Sequence, residues 1–355
     1  MPVYLSHDSS HYDPLKSAKV VAGKPLSKFR GPSANVIDIG LVNNMPDRAM
    51  QSTERQFLTL LDSAAAEDIT VRLWLYALPD VPRSEMGQRH IAKSYSPIET
   101  LWGRHLDGLI VTGAEPKAEN LKDEPYWGTL ARLIDWAEHG TQSTVWSCLA
   151  AHAAVLHLNG ITRRRLAEKR FGLFECTRVA DHPLMVGGPA SFVIPHSRWN
   201  DLPEQELTAC GYSILTGAAE AGADAFVKQG SSLFVFFQGH PEYEANTLLL
   251  EYSRDVGRYL RRESETYPRI PQGYFDREAA EALASLRERA FSNRREDLLA
   301  EFPTALTSRN LATPWRPAAM RVYGNWLRYL CAHNDRKQPA SHAPSVADRR
   351  FAAGE

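Results

Sequence analysis

One stretch of the sequence, residues 143–157, predicts a buried strand, a sharp turn at Cys148 and a helix. The residues before Cys148 favour β-structure, and the Ala/Leu run after it has high helix propensity. A thiol at this junction meets the positive end of the helix dipole and the free N–H groups of the first turn, including that of Leu149. Both favour a thiolate and a negative oxygen on a substrate. Cys148 therefore has the position of a nucleophile, although a buried structural cysteine fits this stretch equally well.

A second stretch, residues 233–243, is an apolar strand that ends in His240-Pro-Glu242. A thiolate nucleophile needs a base within hydrogen-bonding reach and a third group that orients the base, and such groups gather at strand ends in α/β folds. Residues two apart on a strand face the same side, so Glu242 can hold the ring of His240. The sequence thus predicts a catalytic set of Cys148, His240 and Glu242, with a simple strand-ending turn as the alternative for the His-Pro pair.

The order of predicted elements indicates the fold class. Strands are predicted at 35–42, 69–76, 106–111, 143–147, 192–199, 224–228 and 233–237, and helices at 52–61, 126–139, 149–157, 247–261, 276–302 and 320–332. The segment between the second and third strands, which contains Pro79, Pro82, Gly87 and Pro97, is expected to be irregular. Alternating strands and helices imply an α/β fold with a mostly parallel sheet covered on both faces.

Composition divides the chain and excludes some partners. We expect an extended arm over 1–34, the main domain over 35–270, a helical extension over 271–333 that packs on the same domain, and a disordered tail over 334–355. Lys plus Arg number 41 and Asp plus Glu 42, so charge gives no case for binding nucleic acid or an anionic membrane. Without a signal peptide or an apolar run of roughly 18 residues, the chain is expected in the cytoplasm.

Four cysteines, Cys148, Cys176, Cys210 and Cys331, lie far apart in the sequence without a Cys-x-x-Cys pair. This spacing suggests neither a zinc site nor a disulfide framework, so no metal is expected.

Two further features suit chemistry at Cys148. The strand at 106–111 runs into a glycine turn, where the N–H groups of Gly113 and Ala114 are candidates for the second half of an oxyanion site; a plain turn is the alternative. The run from Arg163 to Lys169 concentrates positive charge beside the predicted site. Such a run is usually a solvated face, but a substrate with carboxylates would need a cation here.

Taken together, these motifs resemble the homoserine O-succinyltransferase (homoserine O-acyltransferase) family of methionine biosynthesis, which shares the fold of class I glutamine amidotransferase domains. The resemblance covers roughly residues 35–270 and resumes at 315–330. It rests on Gly40-Leu-Val-Asn-Asn-Met-Pro, Gln56-Phe-Leu, Asp107-Gly-Leu-Ile-Val-Thr-Gly-Ala, Tyr126-Trp, Cys148, Glu168-Lys169, Pro195-His-Ser-Arg, Gly239-His-Pro-Glu-Tyr, Arg254-Asp and Asn325-Trp-Leu.

The resemblance implies that Cys148 accepts an acyl group from acyl-CoA, the co-substrate, with His240 as general base and Glu242 as its orienting partner. No cofactor is implied. Family contacts to the amino-acid substrate, homoserine, map onto Lys169, Ser197 and Arg254. A guanidinium such as that of Arg254 can clamp the carboxylate of homoserine in a bidentate manner and fix its hydroxyl near the thioester.

At two positions the sequence differs from the family pattern. Asp47-Arg48 stands where the family usually has a lysine pair that helps build the oxyanion site, and Arg48 is the candidate substitute. The position that separates acetyl from succinyl donors, usually Glu or Gly, aligns with Lys117, which favours a succinyl donor if its ammonium faces the acyl group. Residues 276–304 form an insertion relative to the family.

Two other functions remain open from the sequence. One is a class I glutamine amidotransferase-like hydrolase, although the glycines that usually flank the cysteine in those enzymes are missing around Cys148. The other is a catalytically weakened relative retained for binding or assembly. The sequence is also compatible with a homodimer.

Overall fold

A ten-stranded sheet forms the centre of the computed structural model, which describes residues 3–6 and 35–334. Its strands follow the spatial order β1-β3-β2-β4-β5-β10-β9-β8-β6-β7. They are β1 (Val3–Ser6), β2 (Asn35–Val42), β3 (Ile69–Tyr76), β4 (Leu106–Val111), β5 (Thr141–Ser147), β6 (Arg164–Arg178), β7 (Ser191–Asp201), β8 (Ser213–Ala218), β9 (Gly222–Gln229) and β10 (Leu233–Phe237).

The first six strands in that order pair in parallel, and the remaining four pair antiparallel. The parallel part confirms the expected α/β class, because crossover helices connect its strands. The sequence analysis did not predict that β9, β8, β6 and β7 continue the same sheet with antiparallel pairing. In this part, β6 and β7 form a long hairpin.

Ten α-helices surround the sheet within the described residues. They are α1 (Asp47–Ala64), α2 (Glu85–Ser94), α3 (Glu99–Trp102), α4 (Trp127–Gly140), α5 (Leu149–Asn159), α6 (Glu204–Ala209), α7 (Thr247–Leu260), α8 (Arg277–Ser292), α9 (Thr304–Thr307) and α10 (Arg316–Ala332). None of the helices in this part of the chain is long and apolar enough to cross a membrane.

Alternate residues of the central strands face two separate apolar cores. On β10, Phe234 and Phe236 belong to the core covered by α4 and α5, whereas Val235 and Phe237 belong to the core covered by α1 and α10. The strands are therefore apolar on both faces, as expected for a parallel sheet between two helical layers. Helix α10 is fixed to the sheet through Trp326, whose Nε1 donates to Ser143 Oγ at 2.9 Å.

The segment predicted to be irregular contains two helices, α2 and α3, so that prediction was wrong. Ser84 caps α2, because its Oγ accepts from Gly87 N at 3.3 Å. Pro82 and Pro97 flank α2 instead of interrupting it, and a proline outside a helix costs no helical hydrogen bond.

Helix α1 begins at Asp47, not at Ser52 as predicted. Pro46 precedes the first turn with extended backbone angles, and Asp47 places a negative charge at the positive end of the helix. The expected arm over 1–34 lies outside the described residues except for β1, which adds a parallel strand next to β3. Apart from residue 334, the expected tail over 334–355 also lies outside them.

Candidate active site

Cys148 occupies the junction between β5 and α5 in a backbone conformation that is rare for a residue with a side chain. Its φ is 50° and its ψ is −110°. Its N–H donates to Phe237 O at 2.7 Å, so the junction is tied to the end of β10. A strained conformation of this kind persists only where the surroundings enforce it, and it holds the half-buried thiol at the edge of the sheet.

The loop after β10 places the predicted base and its partner beside this cysteine. His240 Nδ1 lies 2.8 Å from Glu242 Oε1, and Ser147 Oγ donates to the same carboxylate oxygen at 3.3 Å. Because β10 ends at Phe237, strand alternation does not bring the pair together, and this part of the prediction was wrong. The turn is held instead by His240 N, which donates to Pro195 O at 2.8 Å.

Electrostatics favour the charged form of His240. Burial, the largest influence, lowers the pKa of the imidazole, but the Glu242 carboxylate and a hydrogen bond to Cys148 together raise it well above the ordinary value. With Nδ1 facing Glu242, Nε2 is the ring atom left for Cys148. The arrangement can therefore hold an imidazolium next to the Cys148 sulfur and move a proton through Nε2.

The glycine turn after β4 packs directly against the start of α5. A Cβ atom at Gly113 would lie 2.5 Å from Leu149 Cβ and 3.2 Å from Leu149 N, so only glycine fits here. The first N–H groups of α5 have no partner within the helix. The structure thus brings together the three residues predicted for the oxyanion site, Gly113, Ala114 and Leu149, along one cleft.

The three predicted contacts to the amino-acid substrate converge on two acidic residues of α7. Lys169 Nζ lies 3.3 Å from Asp255 Oδ2, and Arg254 Nε donates to Asp255 Oδ1 at 2.7 Å. Ser197 Oγ donates to Glu251 Oε2. Sequence reasoning missed both acids as site residues, although their spacing of four places them on one face of a helix.

Tyr243 links this cluster to the catalytic base, a role that the sequence did not indicate. Its ring stacks on that of His240 with centroids 4.2 Å apart, and its hydroxyl donates to Glu251 Oε1 at 2.5 Å. Trp315 fixes the Tyr243 backbone, because its Nε1 donates to Tyr243 O at 3.0 Å. A shift of Glu251 would therefore move Tyr243 and, through the stacked rings, change the position of the His240 ring.

Two further predicted residues are Lys117 and Arg48. The side chain of Lys117 is exposed, while its backbone N–H donates to Glu124 Oε1 at 2.5 Å. Arg48 pairs with Glu115 at 3.2 Å, on the carboxylate that also pairs with Arg258 at 3.2 Å. The Arg48 guanidinium thus neighbours the charged residues of α7.

A buried cluster of Cys176, His196 and Asp224 lies behind the His240 loop, and its ligand-type atoms are within 4.8 Å of one another. Two of the side chains have protein partners: Arg198 Nε donates to His196 Nδ1 at 3.3 Å, and Gly239 N donates to Asp224 Oδ1 at 3.2 Å. His196 Nε2 has no hydrogen-bond partner among the described residues. The positive charge of the Arg198 guanidinium next to His196 disfavours binding of a metal cation there. The cluster therefore fits a support for the backbone before His240 better than a metal centre.

The buried carboxyl of Asp224 leads to a stability prediction. Burial raises its pKa from 3.8 to about 6. The folded protein thus keeps a proton that the unfolded chain loses, and stability falls as pH rises between about pH 4 and pH 6. Relative to Asp224→Asn, the wild type should lose about 3 kcal/mol of unfolding free energy across that window.

Urea unfolding at a series of pH values measures this difference. Asp181→Asn is the matched control, because the Asp181 side chain is 98% exposed and its loss should leave the pH dependence unchanged. Parallel pH profiles for the wild type and Asp224→Asn would contradict the assignment.

The family model and the relatives with the same name identify one family. The model of the family described as homoserine O-succinyltransferase matches residues 2–337. A homoserine O-succinyltransferase of Rhodopseudomonas palustris is 48% identical over 306 residues, covering 86% of this chain and 92% of that protein. One of Bradyrhizobium japonicum is 48% identical over 294 residues, covering 83% and 90%. Among solved structures, a glutamine amidotransferase of Methylobacillus flagellatus is similar with a TM-score of 0.46 at 15% identity, covering 84% of this chain and 96% of that one.

Proposed function

The chain belongs to the homoserine O-succinyltransferase family and is an acyltransferase, and from this we propose that it moves a succinyl group from succinyl-CoA to the hydroxyl of homoserine through a thioester on Cys148. The single observation that carries the proposal is the Cys148 junction with the His240–Glu242 pair beside it. The names of the relatives support succinyl-CoA as the donor and homoserine as the acceptor.

In the first half-reaction, the Cys148 thiolate attacks the thioester carbonyl of the donor. The oxygen becomes negative next to the N–H of Leu149 and the Gly113–Ala114 turn, which are the dipoles placed to stabilise it. The carbon–sulfur bond to CoA then breaks, and the imidazolium of His240 supplies the proton that the CoA thiolate takes up. Acyl-Cys148 and free CoA result.

In the second half-reaction, neutral His240 takes the proton of the homoserine hydroxyl as that oxygen attacks acyl-Cys148. The ester leaves and the thiolate is restored. Glu242 keeps the ring oriented through its contact with Nδ1. Arg254 binds the carboxylate of homoserine, while Glu251 and Asp255 attract its ammonium group; Ser197 and Lys169 hold the two acids in place.

Incubation with succinyl-CoA in the absence of homoserine tests the covalent route. We expect a burst of free CoA equal to the enzyme concentration, and a succinyl group on Cys148 by mass spectrometry. A hydrolase of the amidotransferase type would release CoA continuously or not at all, and a relative kept only for binding would show no burst.

Lys117 provides a separate test of donor choice. Because its ammonium is exposed, pairing with a succinyl carboxylate would be weak, at most about 1 kcal/mol. Lys117→Glu should therefore shift the preference for succinyl-CoA over acetyl-CoA towards acetyl-CoA by up to about fivefold. Competition between the two donors measures the ratio, with Lys122→Glu in the same loop as control. If the ratio of the two donors did not change, Lys117 would have no role in donor recognition.

We also propose a cytoplasmic location, since acyl-CoA and homoserine are metabolites of that compartment. The homodimer that the sequence allows stays a prediction, which the mass of the protein in solution would test.

A further inference from the structure

A narrow cleft, open to solvent at one side, lies between the start of α5 and the loop that follows β4. Gly113 and Leu149 line the end nearest to the nucleophile, and Ala153 and Trp127 line its apolar walls. Tyr126 also borders the cleft. An acyl group attached to Cys148 would lie beside this space, because Leu149, the residue that follows the nucleophile, lines it.

Two buried polar atoms have no hydrogen-bond partner among the described residues: Tyr126 Oη, on a residue that lines the cleft, and Arg163 Nη1, on a residue that interacts electrostatically with Tyr126. Arg163 uses its other terminal nitrogen, since Nη2 donates to Glu119 O at 3.2 Å. A buried donor without a partner is costly, so such atoms mark places where a ligand group completes the site.

Electrostatic interactions connect Arg163 to both ends of the cleft. The charge of Arg163 acts on the Tyr126 hydroxyl and on the Cys148 thiol. Burial, the main influence, lowers the pKa of the guanidinium. The nearby carboxylate of Glu124 is already engaged, because it accepts from Lys117 N at 2.5 Å and from Ala118 N at 2.6 Å. The guanidinium still has one terminal nitrogen, Nη1, without a hydrogen-bond partner among the described residues.

The three consecutive arginines at the start of β6 have different surroundings. Arg164 is exposed and pairs with Glu206, and the guanidinium of Arg165 lies over the ring of Trp199 at 4.4 Å from its centroid. Of these three, Arg163 is the one with a buried terminal nitrogen that has no hydrogen-bond partner among the described residues. The three arginines thus do not form one solvent-exposed basic surface, because their side chains have different partners.

We propose that Arg163 and Tyr126 bind the terminal carboxylate of the acyl group, and so select a dicarboxylic acyl donor. This inference rests on the proposed acyl transfer through Cys148 and adds the residues that recognise the donor. A guanidinium nitrogen and a hydroxyl can both donate to one carboxylate. An acetyl group would leave both donors unpaired, and a site built in this way discriminates against a ligand that lacks the polar group.

Single-turnover acylation of Cys148 by succinyl-CoA and by acetyl-CoA tests the proposal. In Arg163→Met we expect the rate with succinyl-CoA to fall about 100-fold, because a buried carboxylate loses its cation, and the rate with acetyl-CoA to change by less than about threefold. Tyr126→Phe should lose about tenfold with succinyl-CoA alone, and Arg163→Lys should lie between the wild type and Arg163→Met. Arg164→Met is the matched control and should match the wild type with both donors.

Each alternative outcome has a distinct meaning. An equal fall with both donors would show that Arg163 acts on the thiolate or on the fold, and an unchanged rate with succinyl-CoA would show that it does not contact the acyl group; either result overturns the proposal. If the wild type formed no acyl-Cys148 with either donor, the proposed function itself would be wrong. Thermal unfolding of each variant separates a loss of fold from a loss of recognition.

Discussion

Cys148→Ala is expected to lower kcat by about four orders of magnitude or more, since no other group in the site can form the thioester. The fold should survive, because alanine is smaller than cysteine and the Cys148 N–H bond to Phe237 O at 2.7 Å involves only the backbone. Cys148→Ser keeps the shape of the side chain but replaces the thiolate by a hydroxyl, and we expect a loss of similar size. Release of CoA in the absence and presence of homoserine measures both half-reactions.

The other cysteines provide controls for this experiment. Cys210 and Cys331 are half-buried and Cys176 is buried. None of them belongs to the set of Cys148, His240 and Glu242, so alanine at each of these positions should keep activity. Near-normal turnover by Cys148→Ala would show that the acyl group passes directly from CoA to the acceptor.

Arg254→Lys is expected to lower kcat/KM for homoserine by about 100-fold or more, while acylation of Cys148 by succinyl-CoA alone continues. Lysine keeps the positive charge but has no planar fork for a bidentate contact with a carboxylate. It also loses the Nε donor that holds Asp255 at 2.7 Å, which would loosen the group facing the ammonium of homoserine. Separate assays of the two half-reactions make the comparison.

Arg261→Lys near the end of α7 is the matched control, because Arg261 forms an exposed pair with Glu263 at 2.7 Å and should tolerate the change. If Arg254→Lys lost as much in the first half-reaction as in the second, Arg254 would belong to the donor site or to the catalytic base.

Local patterns explain why much of the fold could be predicted. The strand-to-helix junction at Cys148 follows from the propensities of about fifteen neighbouring residues, and apolar periodicity located the strands of the parallel sheet. The helices missed between β3 and β4 contain no long apolar run, and the prolines around them suggested a loop. Their formation depends on contacts such as Ser84 N to Asp47 Oδ2 at 2.6 Å, between residues far apart in sequence.

The sequence by itself determined the class of fold, and it predicted the nucleophile and the residues that partner it, because these depend on local propensity and on short motifs. Only the tertiary structure decided how they meet. His240 and Glu242 pair through a loop held by Pro195 instead of along a strand, and Tyr243 connects that pair to Glu251. Spacing along a chain shows which side chains share a face of one element, whereas the meeting of separate elements depends on the packing of the whole core.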